Sequence, residues 1–229
     1  MSAATPIAKR QWISQHRLAL FVVLAFVLSW YPWIIALARG RTSGPNPLGP
    51  FISAIIVTAL AGGKVELRAL LSRLVRVKVG WRWYAFVFGM PVLLCVLAAA
   101  VALAFTASPL VLLPTDKLRE LPDRFIFILL FIGLGEEPGW RGFALPTLQK
   151  SYSPFVSSLI LAPIWAVWHL PLFGHEFPMP IVAPFLVGLL GATLVQTWLF
   201  NHTRGSVLLQ MLFHATVNTV GAGLIFPLF

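Results

Sequence analysis

Seven apolar runs constrain this chain more than any other feature, because several reach the length of a membrane-crossing helix. Such a helix needs about 20 mainly apolar residues to span the hydrocarbon core. The runs lie at residues 18–38, 51–62, 83–106, 125–148, 154–169, 181–200 and 206–226, the second being short. Of the 229 residues, 59% are hydrophobic and only 10% charged, whereas a soluble domain carries about 25% charged residues. So few charges cannot cover a water-facing surface. The predicted fold is an all-α membrane protein, a polytopic transmembrane helical bundle of about seven spans. No repeat or low-complexity tract divides it.

The first run follows Lys9, Arg10 and Arg17 and ends in Ala36-Leu37-Ala38, which imitates a signal-peptide cleavage site. A signal core has about 7–15 apolar residues. This run is longer and more runs follow it, so the expectation is a retained first helix bent at Pro32. Residues 44–50, with Pro45, Pro47 and Gly49, read as a turn-rich link. Residues 64–82 place Lys64, Arg68, Arg73, Arg76, Lys78 and Arg82 among leucines and valines, the pattern of a basic amphipathic stretch along the membrane interface. Trp81 and Trp83 suit interfacial anchors for the third span. Residues 108–124 read as a loop of mixed charge. Pro138 is expected to bend or restart the fourth span, and Pro171 to stop the fifth.

The net charge of +10 does not point to nucleic acid, because the bases sit in the connections between apolar runs. There they set topology and meet anionic lipid. With the N-terminus inside, the inner segments hold eleven bases and the outer ones five, Arg141 lying within a span. The bias predicts a cytoplasmic N-terminus in the cell membrane. Cys95 stands alone in an apolar run, which excludes an intrachain disulfide and reads as a small buried hydrophobe.

Two of only seven acidic residues, Glu136 and Glu137, are adjacent inside an apolar run. A charge near the bilayer centre costs roughly 2.5–3.5 kcal/mol even on lenient scales, so packing alone is a poor reason to carry the pair. Arg141 follows Glu137 by one helical turn and can pair with it. Glu136 points about 100° away around the helix and is left without a partner. His169 ends the fifth run in Trp-Ala-Val-Trp-His, while His214 and Asn218 share a face of the last. His16, His175 and His202 fall in connections and read as ordinary interfacial residues.

Amide hydrolysis needs a base, a positioned water and an oxyanion site. A buried glutamate beside a histidine can supply the first two, and histidine and asparagine N–H groups on a facing helix the third. Glu136, His169 and His214 could instead form the three-ligand set of a catalytic zinc site. No His-Glu-x-x-His motif supports that, and no metal or other cofactor is expected.

Residues 136–142, Glu-Glu-Pro-Gly-Trp-Arg-Gly, resemble the EExxxR motif of the CPBP family, the CAAX-protease and bacteriocin-processing membrane proteins also called Abi proteins. Trp165 to His169 is similar to that family's FxxxH motif, with tryptophan at the phenylalanine position. His214 to Asn218 matches HxxxN. The resemblance spans about residues 125–222. It divides the chain into N-terminal helices at 1–124, with the basic stretch at 64–82, and a catalytic helical core at 125–229. It implies a glutamate-type intramembrane endopeptidase with no required metal. Glu136 would be the base together with His169, His214 and Asn218 the oxyanion site, and Glu137 and Arg141 the support. The family's prenyl proteases are often drawn with eight spans. Its substrates are membrane-associated or lipidated, CAAX-like proteins in some members and bacteriocin precursors or membrane regulators in others. The expected partners are therefore membrane lipids and such a substrate, with no nucleic acid. Two non-proteolytic readings stay open from the residues alone: a membrane scaffold or chaperone that keeps the cluster for packing, and a proton-coupled transporter using Glu136 as relay.

Overall fold

The structure, a computed structural model, describes residues 6–105 and 115–221. In hydrocarbon each backbone N–H and C=O must be satisfied within the protein, which leaves helix as the form for an apolar run. The described residues contain no strand, and one isolated bridge joins Phe173 to Phe177. The helices in order are α1 (Pro6–Gln15), α2 (Arg17–Ala38), α3 (Gly49–Ser72), α4 (Trp81–Phe105), α5 (Thr115–Phe127), α6 (Leu134–Gly139), α7 (Leu145–Leu148), α8 (Pro154–Trp168), α9 (Val182–His202) and α10 (Val207–Val220). Among the described residues, five helical stretches are long and apolar enough to cross a membrane: α2, α3, α4, α8 extended to Leu172, and α9 extended back to Met179. Only 12% of the most apolar stretch of α4 is buried, so Leu93, Leu97 and Val101 face outward. A lipid-facing helix has such an apolar exterior. Cys95, on the same helix, is half-buried rather than enclosed in the core.

The fourth and seventh runs take other forms. Residues 115–148 are one unbroken helical path in which α5, α6 and α7 are joined by two wider π turns, Ile128–Gly133 and Trp140–Ala144. Leu134 N donates to the Leu129 carbonyl and Leu145 N to the Trp140 carbonyl; both bonds reach back five residues. Pro138 sits inside α6 and neither ends nor restarts the path. The seventh run is α10, 14 residues long, and residues 222–226 of the expected span lie outside the described residues.

Several boundaries differ from expectation. The described part of the expected loop at 108–124 is helical from Thr115 onward, and its opposite charges support a helix at three-residue spacing, Lys117 Nζ lying 3.8 Å from Glu120. Residues 108–114 and Thr106 lie outside the described residues. The short second run does not stop at Gly62. Gly63, at φ 67°, takes a left-handed step that only glycine adopts freely, and α3 continues through the first half of the basic stretch to Ser72.

Packing of the core depends on small residues. Gly135 and Gly139, one turn apart on α6, lie directly on the backbone at the start of α3. A Cβ on Gly139 would come within 2.6 Å of the Pro50 carbonyl oxygen. Glycine at this spacing lets two helices meet backbone to backbone in a membrane. Around that seam Phe21 of α2, Trp140, and Trp168 of α8 form the main core, with Phe21 and Trp168 edge-on to Trp140 at 5.3 and 6.2 Å. A second core joins α4, α9 and α10 through Val87, Leu199 and Phe213. Gly139→Ala should therefore destabilise the protein by about 1–3 kcal/mol, as overpacking does. Gly188→Ala, on α9 with open space around it, should be neutral or slightly stabilising. Melting both variants in detergent checks the contrast.

Candidate active site

Four helical segments bring the polar residues together. Glu136 and Glu137 sit on α6 and Arg141 on the π turn that follows it, between the two widened turns. Such turns recur at functional sites because they re-aim side chains without breaking the helix. All three are buried, with exposures of 3%, 0% and 1%. The expected pair forms: Arg141 Nη1 donates to Glu137 Oε1 at 3.1 Å. The same oxygen accepts from His214 Nδ1 of α10 at 2.7 Å and from Gln196 Nε2 of α9 at 3.3 Å. Glu137 thus fastens α6, α9 and α10 to one another.

Glu136 is not left without a partner. Trp165 Nε1 of α8 donates to Glu136 Oε2 at 2.8 Å. Glu136 Oε1 accepts no hydrogen bond from the described residues. The Trp165 ring also supports the rest of the cluster. The Arg141 guanidinium lies 3.8 Å from its centre, and His169 and His214 stand edge-on to it at 5.3 and 6.1 Å. Trp165 therefore meets Glu136, Arg141, His169 and His214. From the sequence it reads as a packing position.

His169 is placed by the end of α8. Pro171 follows two residues later and cannot continue the helix, so His169 becomes the cap. Its Nδ1 lies 2.7 Å from the Trp165 carbonyl oxygen, one turn back. A carbonyl only accepts, so Nδ1 carries the proton and Nε2 is left with the lone pair in the neutral ring. His214 follows the same logic. Its Nδ1–H is spent on the Glu137 carboxylate, and Nε2 is the free nitrogen. Phe185 of α9 and Trp168 flank the His169 ring at 5.3 and 4.9 Å and keep it dry.

Asn218 lies one turn beyond His214 on α10 and is half-buried. Its side chain makes no hydrogen bond to the described residues. Among the described residues, the exposed His16 and His202 side chains hydrogen-bond only to the backbone carbonyls one turn back, of Trp12 and Trp198. Gln196 and Trp165 are the site residues that sequence reasoning passed over. Gln196 carried a signal: an amide in the middle of an apolar run is costly unless bonded. Trp165 carried none, because tryptophan in such a run reads as packing. Among the described residues no three His, Cys, Asp or Glu side chains converge as metal ligands.

Fold and site together define a polytopic helical membrane protein whose bundle encloses two carboxylates, an arginine and two histidines. Residues 120–220 match the family described as type II CAAX prenyl endopeptidase, Rce1-like. A segment of 102 residues is 31% identical to CAAX prenyl protease 2 of Methanococcus maripaludis, covering 41% of this chain and 38% of that protein. The chain thus aligns with less than two-fifths of that relative's length. Over residues 120–220 the chain is therefore similar to the Rce1-like CAAX endopeptidase family.

Proposed function

We propose that this protein is an intramembrane endopeptidase that hydrolyses a peptide bond of a lipidated, CAAX-like or otherwise membrane-associated protein, using water activated by Glu136. The observation that carries the proposal is the division of labour between adjacent carboxylates. Glu137 Oε1 is occupied by three donors and Glu137 Oε2 is fully buried, whereas Glu136 holds one indole N–H on Oε2 and its Oε1 has no hydrogen-bond partner among the described residues. A carboxylate with a free oxygen in a dry site can take a proton from water.

In this reading Glu136 Oε1 removes that proton while His169 Nε2 orients the water. The hydroxide attacks the scissile carbonyl carbon, and the carbonyl oxygen becomes the oxyanion. His214 and Asn218, on one face of α10, would donate to it. For His214 to donate from Nε2 while Nδ1–H stays on Glu137, the ring must carry both protons, and the carboxylate at 2.7 Å is the counter-charge for that ring. Glu136 then returns its proton to the leaving amine. Atoms balance: one water is added across one amide bond, and no metal or other cofactor is required.

We also infer that the N-terminus is cytoplasmic. Several of the expected inner bases lie along the second half of α3 and the connection after it: Arg17 pairs with Glu66 at 3.1 Å, Arg10 donates to Ala61 O, and Arg76 donates to the Arg204 carbonyl.

The direct test is incubation of the purified protein in detergent with a farnesylated C-terminal CAAX peptide and its unprenylated twin, with products read by mass spectrometry. Cleavage of the farnesylated peptide at one bond, lost in His169→Ala, is the expected result. No cleavage of either peptide, with no lipidated protein retained from native membranes by an inactive variant, would refute the reading. Trp165→Phe sharpens the test. It keeps an aromatic ring beneath Arg141, though a smaller one, and removes the N–H to Glu136, a charge-assisted bond worth about 1.5–3 kcal/mol. It should lower kcat roughly 10-fold or more with KM unchanged. A change confined to KM would argue against a link to the base.

A further inference from the structure

Away from the carboxylate cluster, a cavity of about 330 Å³ opens where α3, α7 and α9 end. Its wall holds three cations, Arg73, Lys150 and Arg204, together with Gln149, Asn201 and the Phe200 ring, and no carboxylate. The cations come from three separate connections, just after Ser72, Leu148 and His202. Arg73 is held in place: its Nη1 donates to Gly142 O at 3.4 Å and its guanidinium lies 5.4 Å from the centre of the Phe200 ring. Arg76 donates to the Arg204 carbonyl and Arg204 to the Lys78 carbonyl, which draws the connections after α3 and α9 together. The buried side-chain nitrogen of Gln149 finds no acceptor among the described residues.

The plain alternative is that each cation merely offsets the helix end it follows. A helix C-terminus carries roughly half a negative charge, so three ends offset about half of three full charges. The cavity keeps a net positive potential, and beside it stands an amide donor without a partner. Two of these ends, those of α3 and α9, belong to helices long and apolar enough to cross a membrane, and the ends of such helices reach the headgroup layer. Basic pockets between helix ends at that depth suit the phosphate of anionic lipids.

We propose that this cavity binds an anionic phosphate group, either that of a phospholipid headgroup or free phosphate, through Lys150, Arg73 and Arg204, with Gln149 as a further donor. The test uses the full chain in neutral detergent. Melting is followed with dihexanoyl phosphatidylglycerol, with dihexanoyl phosphatidylcholine, and with sodium phosphate against sodium chloride at matched ionic strength. Lys150→Gln is the main variant, because Lys150 is exposed and its side chain makes no hydrogen bond or ion pair among the described residues; Lys64→Gln, an exposed base on α3, is the control. Each cation near such a surface contributes about 1 kcal/mol, so Lys150→Gln should weaken phosphatidylglycerol binding about fivefold. Lys64→Gln should leave it unchanged. Protection by phosphatidylglycerol alone assigns the site to a lipid headgroup. Protection by sodium phosphate as well, also reduced in Lys150→Gln, assigns it to the phosphate group itself. Equal responses of Lys150→Gln, Lys64→Gln and wild type, or no protection by either anion, would overturn the proposal. An Arg73→Gln, Lys150→Gln double variant, compared only if it melts cooperatively, should lose a further fivefold.

Discussion

Glu136→Gln is expected to abolish peptide cleavage while the protein stays folded. Glutamine has the shape of glutamate, and its amide oxygen can still accept the Trp165 N–H that Glu136 Oε2 accepts at 2.8 Å. The geometry of α6 against α8 should therefore survive. What is lost is the ability to take a proton from water, and a general base supplies roughly 10²–10⁴-fold in rate. The measurement is turnover of the farnesylated peptide, paired with a melting curve. A melting temperature near that of wild type, together with a loss of activity of that size, fits the protease reading. Full activity would remove Glu136 from the chemistry. A large loss of stability would favour a scaffold that keeps the carboxylate for packing.

Glu137→Gln should behave in the opposite way and cause the largest loss of stability of any single change at the site. Arg141 is 1% exposed and lies 3.1 Å from Glu137 Oε1. Without the carboxylate it becomes a lone buried cation, and breaking a buried pair this way costs about 3–5 kcal/mol. The Trp165 face beneath the guanidinium can offset about 2 kcal/mol of that. The bonds from His214 and Gln196 weaken at the same time, so three helices lose a common fastening. A melting temperature well below that of Glu136→Gln is expected. Removing both charges in Glu137→Gln, Arg141→Met should recover part of the loss, since no unpaired ion remains. Equal melting of Glu136→Gln and Glu137→Gln would refute the division of roles.

The apolar runs and the residues at Glu136, Glu137, Arg141, His169 and His214 are legible in the sequence because charge and imidazole inside hydrocarbon stand out by cost alone. The pairing of Glu137 with Arg141 follows from helical spacing. What stays hidden has physical reasons too. A π turn is a choice of hydrogen-bond partner, five residues back instead of four, and no residue type marks it; the turns beside the glutamates have no signature to read. The helix from Thr115 reads as a loop because its charges and Pro122 outweigh the spacing of Lys117 and Glu120. Trp165 reads as packing because an indole N–H is informative only once its acceptor is known. Gly135 and Gly139 are in plain view, but the surface they fit, residues 47–50, is distant in sequence.

That glycine seam bears on how the protein meets bilayers of different thickness. A helix held only by lipid tilts or shifts when the hydrocarbon becomes thicker or thinner. The helix carrying the glutamates is instead set against another backbone at Pro47 and Pro50, with only the rigid Pro50 ring at the contact and no flexible side chain to act as a spring. Mismatch is then taken up by lipid-facing helices such as α4, and the depth of the carboxylates is fixed by protein contacts. Whatever reaches this site must come to that depth, because the site does not move to meet it.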